Sequence, residues 1–294
     1  MADNGYSRRY GDRRDGRQLR SISPLYKMMP YIMRNRHDSQ NSFKDSIEIT
    51  EIDRYIRQKR TEGYKGLGML HLFIATYVRT VAMRPGINRF IAGQRIYAHH
   101  DIKVAMAIKR SLSSDARETT IKVTFDPTDT IFDVYRKMNE AIDEIKADNG
   151  DNNTEELAAS LFKLPGLLLK ATVGILTLMD YFGILPNAIV EASPFHGSMI
   201  ITDMGSLGIP PIFHHLYNFG HLPLFLSFGT KRSLVELDKT GNPVERKYID
   251  YTAVMDERIC DGYYFSTAFK YMKYYLKNPA MLEEAPEKVE EDVF

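Results

Sequence analysis

The segment that most narrows the choice of fold lies near the carboxyl end, where YIDYTAVM (248–255) runs into DERICDG (256–262) and then into an amphipathic helix. The first stretch reads as a buried strand. The last carries Phe265, Phe269, Met272 and Leu276 at steps of four, three and four, which builds one apolar helical face. Between them the acidic side chains of Asp256, Glu257 and Asp261 share a short turn with the only cysteine. A buried strand, a charged turn and a packed helix in direct succession require layers of sheet and helix.

The rest of the chain repeats this alternation. In IKVAMAIK (102–109), Ile102, Val104, Met106 and Ile108 alternate with lysine and alanine, which predicts a strand with one wet or lightly covered face. SFKDSIEI (42–49), TTIKVTF (119–125), GSMIITDM (197–204) and LPLFLSFG (222–229) predict further strands, and NRFIAGQRIYA (88–98) precedes 102–109. PLYKMMPYIMRNR predicts a short first helix, and GMLHLFIATYVRTVAMRPG an apolar one closed by Pro85 and Gly86. Thr50 with Asp53, and Thr130 with Asp133, have the spacing of capping boxes. DNGDNN (148–153) predicts a loop, with two helices after it. No glycine-rich phosphate loop follows the first strand, which disfavours a dinucleotide or P-loop fold, and no internal repeat is present. The order predicts an α/β sandwich, a mixed sheet covered by helices.

At 294 residues and 44% hydrophobic composition the chain can bury a sizeable core. A formal net charge of +1 gives no global field for nucleic acid or a membrane surface, so neither is expected as a partner. One cysteine excludes an internal disulfide and a thiolate-rich zinc site; no metal is expected, and the cytoplasm is the default compartment. The most apolar stretch, 164–186, is interrupted by Lys170 and Asp180, which argues against a membrane span and for a buried helix or a lid over a hydrophobic pocket. Residues 1–22 hold six arginines with almost nothing apolar and predict a flexible basic arm; 285–294 predicts an acidic tail, leaving 23–284 as the core domain.

The turn at 256–262 resembles the D-H-R-x-x-D-G signature of the catalytic domain of dihydrolipoamide acyltransferases, the cores of 2-oxoacid dehydrogenase complexes, to which chloramphenicol acetyltransferases are more distantly related. D-E-R-I-C-D-G matches at every fixed position except the histidine, whose place Glu257 takes. Other landmarks follow in order. GSMIITDMGSLGI (197–209) resembles the family's G-T-F-T-I-S-N-L-G-x-x-G, putting Thr202 at its oxyanion-binding serine, Asp203 at its asparagine and Gly205 at its glycine. SIEITEIDRYIRQKR, LPLFLSFGTKR and YLKNPAMLEE are similar to other segments of the family, so the resemblance covers about 23–284. TTIKVTFDPTDT departs from the family's G-L-V-V-P-V, and no lipoyl or peripheral subunit-binding domain is expected before the core.

The resemblance implies a chloramphenicol-acetyltransferase-like fold and acyl transfer between a thioester and a thiol or other acceptor, with coenzyme A or acyl-CoA as substrate. It implies a homotrimer whose site lies between subunits, with other subunits of an acyltransferase complex as further partners. Thr202 would stabilise the oxyanion. Asp261 would order the loop, in the family by pairing with an arginine, and Asp203 and Gly205 would contact substrate. Glu257 would be the base. A glutamate, at ~4.3, is about two units weaker as a base than a histidine, at ~6.5, unless burial and neighbouring Asp256 and Asp261 disfavour its ionisation. The alternative is a catalytically silent homologue acting as an oligomeric scaffold or partner-binding module.

The remaining candidates read as structural. His196 precedes Thr202 by six residues, about 20 Å at strand rise. His214, His215 and His221 have no Cys, Asp or Glu among them to complete a metal site. Cys260 reads as a small buried hydrophobe, and Lys231 and Arg232 as solvated turn charges, with a coenzyme A phosphate as the alternative.

Overall fold

Strand alternation decides the sheet, and the computed structural model, which describes residues 7–109, 118–147 and 161–293, places its strands where the apolar alternation falls. The loop predicted at 148–153 lies outside the described residues. Six strands form a mixed sheet in the order β2 (Gln40–Glu48), β9 (Pro243–Asp256), β8 (Leu224–Leu237), β7 (Met199–Asp203), β5 (Ile102–Lys109), β6 (Glu118–Phe125). β7 runs parallel to both β5 and β8, and the other pairs are antiparallel. A second, antiparallel sheet joins β1 (Gly16–Gln18), β4 (Arg95–His99) and β3 (Arg89–Ala92).

The helices in chain order are α1 (Pro24–Ile32), α2 (Thr50–Thr61), α3 (Met69–Met83), α4 (Ile131–Ala147), α5 (Gly166–Tyr181), α6 (Asn187–Ala192) and α7 (Gly262–Lys277). The main core joins residues of α2, α3, α4 and α7 to one face of the large sheet, with Ile249, Tyr251, Ala253 and Met255 of β9 pointing into it. Phe73 of α3 stacks on Phe228 of β8 at 4.7 Å. α4 opens with a formed capping box: Asp133 N donates to Thr130 Oγ1 and Thr130 N to Asp133 Oδ2. α2 does not. Its N-cap is Ile49, without a side-chain bond, because Asp53 is pulled instead into an ion pair with Lys231 of β8 at 2.5 Å.

Two expectations need correction; that for the second face of β5 does not, since Ala105 packs with Ile200, Phe225 and Val254 while Lys103 is half-buried and Ala107 exposed. The stretch 164–186 is mostly exposed instead of a buried helix: in α5, Leu167 is 82% exposed and Ile175 58%, and only Asp180 is buried. No helix among the described residues is long and apolar enough to cross a membrane.

The other concerns the arm. From Gly16 it pairs with β4, and Arg13, 5% exposed, sits between Asp15 and Asp180 at 2.9 and 2.6 Å. Composition hides this because a sheet edge and buried carboxylates, rather than apolar packing, hold the segment. The tail docks as well: Asp292 pairs with Arg89, and Arg17 donates to the carbonyls of Asp292 and Val293. Under the arm, His221 Nε2 lies 2.8 Å from Asp15 and His196 Nε2 3.4 Å from Asp180, and Phe90 packs against His99 and His221 at 4.2 and 4.1 Å. Burial pushes His99 down to about 4 and His221 to about 3, despite the Asp15 charge beside them.

Candidate active site

The site begins at the carboxyl end of β7. Successive residues of a strand face opposite sides, so Ile201 enters the main core while Ile200 and Thr202 face the other side. Thr202 pairs in register with Ser227 of β8, and Ser227 with Thr252 of β9, which sets three hydroxyls in a row across the sheet. The crossing loop uses two of them. Ser227 Oγ accepts from Ile212 N at 3.2 Å, and Thr252 Oγ1 donates to Ile212 O. Thr202 Oγ1 is buried and has no partner among the described residues. A buried hydroxyl left unpaired costs about 1–3 kcal/mol.

Asp203, next along, faces the opposite way. Its Oδ1 accepts from Ser206 N at 3.0 Å, and burial pushes its carboxyl above the ordinary value although the amides of Ser206 and Gly205 oppose this. Gly205 has a packing role: a Cβ there would meet the Gly229 carbonyl oxygen at 2.6 Å. Asp203, Gly205 and Ser206 line an open cavity of about 700 Å³ whose other wall carries Arg57 and Arg60 of α2, His71 of α3 and Lys231 of β8. Thr202 is not among the lining residues; the strand that bears it separates hydroxyl from cavity.

The charged turn divides into separate tasks. Asp256 and Arg258 are both buried and form a bidentate pair, Nε to Oδ1 at 2.8 Å and Nη2 to Oδ2 at 2.6 Å. Arg36 approaches the same carboxylate at 3.5 Å. Asp261 caps α7, accepting from Tyr264 N at 2.6 Å and from the Tyr26 hydroxyl at 3.0 Å, and the helix terminus holds its carboxyl below the ordinary value. This corrects the expected pairing of Asp261 with an arginine. The Asp256 charge is matched by two guanidiniums and the Asp261 charge by a helix end. Glu257 is partly exposed and accepts from Asn41 Nδ2 at 2.6 Å.

Within one chain the structure does not bring Glu257 and Thr202 together. Glu257 follows the end of β9, two strands across from Thr202 and toward the start of β7, a separation of roughly 18 Å from strand spacing and rise. Nor do the histidines of 214–221 come near a metal set: His214 stacks on Phe225, and among the described residues no group of three or more His, Cys, Asp or Glu side chains could hold a metal ion. Cys260 is buried and burial raises its thiol pKa far above the ordinary value, the behaviour of an inert packing residue.

Arg57, Arg60 and His71 escape sequence reasoning because each sits on an otherwise ordinary helix. The one local signal is the spacing of Arg57 and Arg60 by three, which puts both on one side of α2. Lys231 and Arg232 lie within β8, at the register break between Phe228 and Lys231, and not in a turn.

No model of a known protein family matches the sequence, and no curated protein matches it. Solved structures do. The chain is similar to a probable dihydrolipoamide acetyltransferase from Listeria monocytogenes, at 14% identity and a TM-score of 0.55, over 89% of this chain and 95% of that one. It is similar to the Azotobacter vinelandii dihydrolipoamide acetyltransferase, in which a serine, a histidine and an asparagine were investigated for their catalytic role, at 13% identity and 0.56, over 90% and 93%. It is also similar to a chloramphenicol acetyltransferase, at 13% identity and 0.57, over 89% and 99%. The fold is that of the chloramphenicol-acetyltransferase-like acyltransferase cores.

Proposed function

We propose that this chain is an acyltransferase core that moves an acyl group from a coenzyme A thioester to a thiol or other acceptor. The observation that carries the reading is the pairing of a free buried hydroxyl, Thr202, with a cationic cavity that begins one residue later on the same strand. The cavity suits the phosphate-bearing end of coenzyme A, because guanidiniums bind phosphate oxygens in pairs. The flexible arm of the thioester then passes the end of β7, and the Thr202 hydroxyl donates to the oxyanion of the tetrahedral intermediate. Attack by the acceptor thiol needs a proton acceptor; Glu257 fills that role from a neighbouring copy, since in its own chain it stands away from Thr202.

The reading calls for assembly with the site between subunits, as a homotrimer. It agrees with a structural neighbour, the cubic core of a pyruvate dehydrogenase multienzyme complex, at 15% identity and a TM-score of 0.51 over 90% of this chain and 93% of that one. A second reading, a catalytically silent scaffold, draws support from one contact: Asn41 holds Glu257 at a partly exposed position.

Acetyl-CoA turnover with a small thiol acceptor separates the two. The enzyme reading predicts measurable turnover in the native protein, a loss of about 10²-fold or more in Thr202→Val, as for removal of an oxyanion donor, and a gain in Glu257→His. Folded, assembled protein with no turnover and no gain from Glu257→His overturns it in favour of the scaffold.

A further inference from the structure

We propose that His71 is a ligand-specificity residue, a neutral N–H donor aimed into the cationic cavity that bonds a phosphate oxygen of the bound thioester between Arg57 and Arg60. This rests on the acyltransferase reading of the same cavity and adds to it a residue that neither the sequence motifs nor the structural likenesses point to.

His71 is the third residue of α3, and its Nδ1 accepts the amide N–H of Gly68, the helix N-cap, at 3.2 Å. That bond fixes the tautomer. With Nδ1 accepting, the proton of the neutral ring sits on Nε2, which is buried and has no hydrogen-bond partner among the described residues. The residue is 7% exposed and lines the cavity with Arg57 and Arg60. Its ring leans on Tyr135 of α4 at 5.4 Å, so packing holds the imidazole in place. A buried donor left without an acceptor is costly, and the cavity that His71 lines is where a ligand can supply one.

The charges around it decide what the donor reads. From α2, Arg57 and Arg60 face the cavity, the latter anchored through Nε to the Leu67 carbonyl at 2.7 Å; Lys231 of β8 is matched by Asp53, and Asp203 of β7 stands on the opposite wall. Tyr135 is the titratable group from α4. Burial, reinforced by Arg60, pushes the His71 pKa down to about 4, so the empty site holds a neutral ring near neutral pH.

Two substitutions separate this role from helix capping. His71→Gln keeps an acceptor for the Gly68 N–H and an N–H to offer; His71→Glu keeps the acceptor, favoured at this capping position, but offers no donor. Titration calorimetry with coenzyme A is expected to show near-native affinity for His71→Gln and a loss of about tenfold or more for His71→Glu, the effect of losing a bond to a charged group. Pantetheine, which lacks the phosphates, is expected to bind native and His71→Glu protein alike. Equal coenzyme A affinity in native and His71→Glu protein, while Arg57→Ala and Arg60→Ala weaken it, overturns the role of His71 and leaves the cavity assignment standing. If neither arginine substitution weakens binding, the cavity assignment falls and the proposal with it.

Discussion

Lowering the pH toward 5 should unfold this protein through its buried imidazoles. His71, His99 and His221 are held neutral, with pKa values down to about 4, 4 and 3, by burial in each case. In the unfolded chain each returns to ~6.5. The unfolded state therefore binds more protons at any pH between those limits, and stability falls as pH falls, beginning near 6.5. At pH 5 each histidine costs roughly 2 kcal/mol relative to neutral pH, together roughly 6 kcal/mol, against a total stability of about 5–15 kcal/mol for a typical domain. The paired carboxylates Asp15 and Asp180 are shifted below their ordinary values, so their contribution is present above about 3.9 and is lost only in stronger acid. Urea unfolding at a series of pH values measures the slope, which should approach three protons, or about 4 kcal/mol per pH unit, between pH 6 and 5. His99→Phe keeps an aromatic ring against Phe90 and should remove one proton from that slope. Stability that stays flat down to pH 5, or a slope that His99→Phe does not change, would refute the reasoning.

Other outcomes follow from single contacts. Asp256→Ala strips the partner from buried Arg258 and Arg36 and should cost about 3–5 kcal/mol in urea unfolding; a cost below 1 kcal/mol would contradict the buried network. Asp261→Ala should cost about 1 kcal/mol and Asp261→Asn much less, because asparagine still caps α7; equal losses would point to the charge rather than the cap. Cys260 in native protein should resist an aromatic disulfide reagent at neutral pH and react at once in denaturant, whereas rapid native labelling would contradict its burial.

The layered architecture was legible because alternation survives in the sequence: β9, the turn and α7 follow 248–276 nearly residue for residue. The Thr130 box formed because Arg136 takes only the other oxygen of Asp133, whereas Asp53 was taken by Lys231 from a strand far along the chain. Charge partners of that kind carry no local signature. Arg13 finds Asp180, and Arg258 finds Asp256 within two residues yet inside the core, so composition made an arm of the first and gave no hint of the second. The candidate site divides in the same way. Thr202, Asp203 and Gly205 were readable because they sit in one motif, and Arg57, Arg60 and His71 were not, because helices remote in sequence converge on the end of β7 only in the folded chain.

The most direct test of acyl transfer at this site is a crystal structure of the protein with coenzyme A. The account predicts phosphate oxygens between Arg57 and Arg60, the thiol arm passing the end of β7, and Thr202 facing Glu257 of an adjoining copy. Coenzyme A bound away from that cavity, or a solitary chain with Thr202 sealed from solvent, would contradict it.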